Sequence, residues 1–214
     1  MTTEGESLAV KNKRQLQHLK EEVRGQLSSV GTRIKVFRSI ITNQQKNFCR
    51  LCGQTSRYRD VMVLMRHPAL LDELCHAIAE HARAEIPVAV DAIAGLEARG
   101  FLFGPQIAVA LNVPFIPIRK KGKLPGKTIT QSYSKEYGID VMEVQEDAIQ
   151  PGSKVLVVDD LLATGGTLNA AIALIEKAGG EVAEAFTLIE LAYLSPRKAL
   201  PQHIPIYALI SLDH

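Results

Sequence analysis

The chain has 214 residues, 46% apolar and 22% charged, with a formal net charge of +2; this suits one α/β domain with a substantial core plus an appendage. No apolar run approaches the ~20 residues of a membrane span, and the opening MTTEGESLAV lacks the basic start and apolar stretch of a secretory leader. Three cysteines, an odd number, argue against a disulfide scaffold and for a reducing compartment, so a cytoplasmic location is expected.

Residues 1–57 differ from the remainder. They hold 11 Lys/Arg against 4 Asp/Glu, a net +7, whereas residues 58–214 hold 14 against 19, a net −5, and no acid occurs from residue 23 to residue 59. Residues 8–27 fit an amphipathic helix, and residues 31–58 follow no regular pattern. Cys49 and Cys52 form an isolated CxxC, which lacks the four ligands of a structural zinc site. The first 57 residues therefore read as a basic, partly disordered extension, and residues 58–214 as the folded domain.

Beyond residue 57 helical and strand patterns alternate. Residues 68–85 carry Leu70, Leu71, Leu74, Ala77, Ile78 and His81 at helical spacing, with Pro68 suited to a first turn. A short strand is expected over 91–95, an apolar helix over 101–111 and a second strand over 114–118. Residues 119–138 are polar, without a sustained period, and rich in Gly, Lys, Ser and Tyr. Their length suggests a working lid. A half-exposed strand follows over 139–144. Val155, Leu156, Val157 and Val158 then form an apolar run suited to a strand buried on both faces. Further strands are expected over 182–191 and 204–210, and a helix opens near Thr164 and runs to about Lys177.

The chemistry gathers at the ends of these strands. Asp159 and Asp160 follow the Val155 run, and Ala163, Thr164, Gly165, Gly166 and Thr167 form a turn into the next helix. Such a turn offers free N–H groups and the positive end of a helix dipole to a phosphate. The adjacent acids would repel a polyphosphate but suit ribose hydroxyls and a nearby cation. Together they predict a sugar-phosphate site. The stretch is neither a Walker loop nor GxGxxG. A second strand-end loop, GLEARG (95–100), places Arg99 between glycines, and a guanidinium binds phosphate oxygens bidentately. The cations Arg119, Lys120, Lys121, Lys123 and Lys127 crowd the start of the polar stretch.

VVDDLLATGGT (157–167) resembles the 5-phosphoribosyl-1-pyrophosphate (PRPP) motif of type I phosphoribosyltransferases. With GLEARGFLFGP (95–105), IRKKGKLPGKT (118–128) and SYSKEYG (132–138), the chain from about Tyr58 onward is similar to the adenine phosphoribosyltransferase family. The resemblance implies the family's fold, a mostly parallel central sheet flanked by helices, here with an atypical amino-terminal hood or extension. It implies AMP and pyrophosphate as products of adenine and PRPP, with Mg2+ held mainly by PRPP and not by a protein cluster. It further implies a homodimer with small-molecule substrates and no membrane or nucleic-acid partner. Asp159 and Asp160 would face the ribose, and Ala163, Thr164, Gly165, Gly166 and Thr167 the 5′-phosphate. Arg99, Lys120 and Lys123 would face the pyrophosphate, with Tyr137 also at the PRPP/AMP site, and Arg119 would reach a neighbouring subunit's site. Arg59 and Leu191 would lie on the adenine side. Loss of a purine ring proton accompanies ribosyl transfer, and Glu136 is the carboxylate expected to take it.

The front departs from that family. Its Phe-Pro-Asp-Phe-Pro-x-Pro-Gly hood segment is absent, and NFCRLCGQTSR (47–57) precedes the retained Tyr58, Arg59 and Asp60. The PRPP site is complete without it, whereas adenine would lack one wall. An alternative first exon would produce such a break. Two other functions compete with the enzyme: an isoform that binds PRPP but is catalytically impaired, and a PRPP-sensing regulator with a basic amino-terminal module.

Overall fold

The computed structural model describes residues 61–135 and 138–213. The expected amino-terminal helix, the CxxC, Arg59, Glu136 and Tyr137 lie outside the described residues. A 3-10 turn, Val61–Arg66, leads into helix α1, Pro68–Ala84. Pro68 opens that helix, where its missing N–H costs nothing. Strand β1, Ala92–Leu96, is buried along its whole length. A turn at Arg99–Leu102 precedes helix α2, Gly104–Leu111, and strand β2, Phe115–Lys120. Strands β3, Thr128–Lys135, and β4, Gly138–Gln145, come next, then β5, Lys154–Leu162. Helix α3, Gly166–Lys177, and strands β6, Glu181–Leu191, and β7, Ile206–Leu212, complete the order.

The described strands form one seven-stranded sheet in the order β3-β4-β2-β1-β5-β6-β7. The five strands from β2 to β7 in that order run parallel, and β4 and β3 are antiparallel additions at one edge. This is the mostly parallel α/β architecture expected from the alternating patterns. Strand alternation sends Ala92, Ala94, Leu96, Val155 and Val157 into the same core cluster as Leu168, Ala171, Ile172 and Ile175 of α3. Helix α2 packs on α1 and against β1. Both faces of the central strands are thus covered, which is why they read as unbroken apolar runs. No described helix is long and apolar enough to cross a membrane.

Two expectations need correction. The polar stretch at 119–138 is not irregular throughout, because Thr128–Lys135 pairs along its length with β4, from Thr128↔Gln145 to Lys135↔Gly138. Its β-branched and aromatic residues (Thr128, Ile129, Thr130, Tyr133) favour a pleated surface, and Ile129 and Tyr133, four apart, both pack on the core. The second correction concerns the acids. They do not follow a strand ending at Val158, since β5 continues to Leu162 and pairs with β6 as far as Leu162↔Glu190. Asp is depleted in strands, so local preference ends the element early, and the neighbouring strand carries it on.

Candidate active site

Strand β5 carries the acids into a cleft of about 340 Å³ at the carboxyl ends of the parallel strands, the position where open α/β sheets bind ligands. Arg99, Arg119, Lys120, Asp159, Asp160, Ala163, Thr164, Gly165 and Thr167 all line it. Residues from three separate motifs therefore meet at one place. Gly166 is the first residue of α3 and lies just behind the turn. Lys123 sits in the loop after β2, and Leu191 is the buried last residue of β6; neither lines the cleft.

Close backbone approach brings the two strand-end loops together. A Cβ at Gly100 would stand 2.5 Å from the carbonyl oxygen of Val158, so only glycine lets this loop lie on β5 beside the acids. Arg99 Nε is consequently 3.0 Å from Asp160 Oδ2. That contact is an ion pair by distance but out of line for a hydrogen bond, and Oδ2 has no hydrogen-bond partner. Asp160 is buried, and its N–H donates to Asp159 Oδ1 at 2.9 Å. Burial raises the pKa of both carboxyls, the Asp160 charge raises that of Asp159 further, and Arg99 opposes the rise in each. The pair therefore resists full ionisation, and hydroxyl donors or a cation would stabilise its charged form.

The phosphate end is equally specific. Gly165 holds the amino-terminal cap position of α3 with φ +87°, and no side chain caps the helix. The first N–H groups of α3 therefore have no side-chain acceptor, which suits an incoming phosphate. A Cβ at Gly165 would meet the Pro196 carbonyl oxygen at 2.6 Å and the Ala199 methyl at 3.2 Å, so the turn rests directly on the segment after β6. Gly166 has no positive φ, so strain falls on Gly165 alone of the pair.

On the opposite wall Glu97 organises the cations. It accepts Arg119 Nε and Nη2, each at 3.1 Å, and the Lys120 N–H at 3.0 Å. The hydrogen bond from Arg119 is the main cause that holds its carboxyl below the usual range. Arg119 also donates from Nη1 to the Lys123 carbonyl at 2.9 Å. In the single chain Arg119 is thus spent on its own loops, and reaching a neighbouring subunit would require it to leave Glu97.

Sequence reasoning assigned no role to Glu97, Glu143, Glu190 or Arg197. Glu190 is buried within β6, and Arg197 grips it with Nε and Nη2 at 2.8 Å each while donating Nη1 to the Ile206 carbonyl at 3.0 Å. A single charge inside an apolar strand run (LIEL) is the signal that could have flagged it, because a buried carboxylate needs a partner. For a metal, the described residues contain no group of three or more His, Cys, Asp or Glu side chains arranged to bind one. The acid pair, whose Asp160 Oδ2 takes part in no hydrogen bond, is chemically suited to a hard, oxygen-seeking cation.

Comparison with known proteins agrees with this geometry. Residues 62–211 match the family model described as phosphoribosyl transferase domain. An adenine phosphoribosyltransferase of Caenorhabditis elegans is 60% identical over 156 residues, 73% of this chain and 83% of the relative. One from Yersinia pseudotuberculosis is 48% identical over 157 residues, 73% of this chain and 82% of the relative. Among solved structures, adenine phosphoribosyltransferase from Saccharomyces cerevisiae, complexed with an imino-altritol bisphosphate and adenine, superposes with a TM-score of 0.67 at 42% identity. That superposition covers 71% of this chain and 86% of the yeast one. The Trypanosoma brucei enzyme, in complex with AMP, pyrophosphate and ribose-5-phosphate, has a TM-score of 0.67 at 29% identity, covering 74% of this chain and 71% of its own. With the acid pair, the uncapped phosphate turn and the Arg99 loop in one cleft, the chain belongs to the phosphoribosyltransferase family and groups with its adenine phosphoribosyltransferases.

Proposed function

We propose that this chain is a purine-salvage enzyme that converts adenine and PRPP to AMP and pyrophosphate. The observation that carries the reading is the convergence in one cleft of an acid pair with Asp160 buried, Arg99 at 3.0 Å from it, and a positive-φ turn opening an uncapped helix. Those three receptors match the three parts of PRPP: ribose, pyrophosphate and 5′-phosphate. A purine ring nitrogen attacks the anomeric carbon, the bond to pyrophosphate breaks, and the ring N–H proton must leave. Asp159 and Asp160 stabilise the positive charge that develops on the ribose. Arg99, Lys120 and Lys123 receive the negative charge of the leaving diphosphate, and Glu136 takes the proton. Leu191 and Arg59 serve the purine side, and Tyr137 the nucleotide. Asp159 and Asp160 are the side chains that would face Mg2+ bound with PRPP, which would neutralise part of the phosphate charge.

The same reading makes the protein a cytoplasmic homodimer with residues 1–57 as an extension to a catalytic domain over 58–214. Support for that boundary is that residues 57–214 form one contact unit and the family match begins at residue 62. The test is AMP formation by the purified chain from adenine and PRPP with Mg2+, hypoxanthine and guanine serving as controls. Equal turnover of all three bases, or none of any, refutes the assignment. One sequence observation favours a second reading, an isoform that binds PRPP but holds adenine poorly: NFCRLCGQTSR stands where the family's hood segment belongs. A sharply raised adenine KM beside ordinary PRPP affinity identifies it, and a micromolar adenine KM excludes it.

A further inference from the structure

The loop between β2 and β3 carries Lys121, Lys123 and Lys127, yet the group on which it closes is an acid. Glu143 lies on β4 opposite Arg119 of β2, and is buried. Its Oε1 accepts the N–H groups of Lys123 and Leu124, both at 2.8 Å, and its Oε2 accepts the Thr128 hydroxyl at 3.2 Å. Burial by itself would push this carboxyl up, but the N–H groups of Leu124, Gly122 and Lys123 together outweigh it and leave the pKa low. The opposite side of the loop is tied as well, because the Lys123 carbonyl accepts Arg119 Nη1, and Glu97 holds Arg119. The cationic loop is therefore wrapped around one buried anion and strapped to the Arg99 loop through Glu97.

We propose that Glu143 is a positioning residue for pyrophosphate. It turns the backbone N–H groups of 122–124 inward and sets the loop lysines in place before the diphosphate arrives. A loop of this length with two glycines would otherwise be ordered only on binding, at the expense of affinity. The carboxylate moves that ordering into folding. It touches no substrate and acts through Lys123 and its neighbours. The inference rests on the reading of this loop as a diphosphate receptor.

The test uses the full chain with Glu143→Gln and Thr128→Val. The first weakens the charged acceptor, and the second removes one donor without disturbing the fold's charge. The readouts are KM for pyrophosphate in the reverse reaction, KM for PRPP, kcat, hydrogen exchange of the 122–124 amides, and calorimetric affinity for AMP. Glu143→Gln should raise both KM values by about 10-fold with kcat held within about 3-fold, as expected when a charge-assisted anchor is lost from binding alone. The Lys123 and Leu124 amides should exchange faster, and AMP affinity should stand unchanged. Thr128→Val should shift the same two constants by a smaller factor, and it carries the test if Glu143→Gln does not fold. Faster exchange with an unchanged pyrophosphate KM overturns the inference, as does a parallel loss of AMP affinity, which would mark Glu143 as a general fold residue. Lys123→Ala separates the two levels: if it leaves the pyrophosphate KM unchanged, the reading of the loop itself fails. If it raises that KM and Glu143→Gln does not, only the role of Glu143 fails.

Discussion

Replacing Gly165 by alanine adds one methyl group at the point where the phosphate turn rests on the segment after β6. Two costs follow from the geometry. The residue sits at φ +87°, where a side chain costs about 1–2 kcal/mol. The new Cβ would also stand 2.6 Å from the Pro196 carbonyl oxygen, which is backbone and cannot rotate away. Relief requires the turn to shift by roughly 0.5 Å, comparable with the tolerance of a preorganised site. The first N–H groups of α3 then no longer converge on a phosphate. A combined loss of about 2–4 kcal/mol corresponds to a roughly 30- to 1000-fold weaker affinity for AMP. Isothermal calorimetry with AMP measures it directly, and thermal unfolding of the same samples separates binding from stability. AMP affinity equal to wild type, with or without a lower Tm, would refute the placement of the 5′-phosphate in this turn.

Further outcomes are equally definite. Glu136→Gln should lower turnover by roughly 10²- to 10⁴-fold with little change in PRPP affinity; lost PRPP affinity with turnover per bound substrate intact would reassign the residue to positioning. Burial and then the charge of Asp160 push the Asp159 carboxyl up to about 8, so the fold favours the protonated acid. That stabilisation is full below the ordinary carboxylate range and is lost as pH rises from about 4 towards 8. Asp159→Asn should therefore make the ligand-free protein more stable than wild type at pH 8 while reducing turnover by about 10²- to 10³-fold; denaturant melts across that pH range check the sign, and a variant less stable at pH 8 contradicts it. Arg197→Met leaves Glu190 buried without its fork, and should cost about 2 kcal/mol of stability in urea unfolding, less than a fully buried pair because Arg197 is half exposed. Unchanged stability would show that water replaces the guanidinium.

Several features of this protein are legible from residue order alone because their causes are local. Val155, Leu156, Val157 and Val158 read as a two-sided strand since each is apolar, and all four are fully buried. Gly165 and Gly166 read as a phosphate turn because a tight turn into a helix needs glycine, although only Gly165 adopts the positive φ. The motifs at 95–105, 118–128 and 157–167 each carry their chemistry within a dozen residues, so the reaction class was readable before any contact was known. Tertiary structure decided the remainder. Strand β5 runs on through Asp159 and Asp160 because β6 pairs with it, a fact absent from its own composition. Glu97 captures Arg119 across 22 positions and Glu143 captures Lys123 across 20, separations far beyond the neighbour spacings within one helix or strand. A carboxylate in an alternating strand such as β4 looks solvent-facing until the loop that folds over it is placed. Which acid stays in water and which becomes the anchor of a cationic loop depends on what lies above the sheet, and packing between distant segments alone sets that.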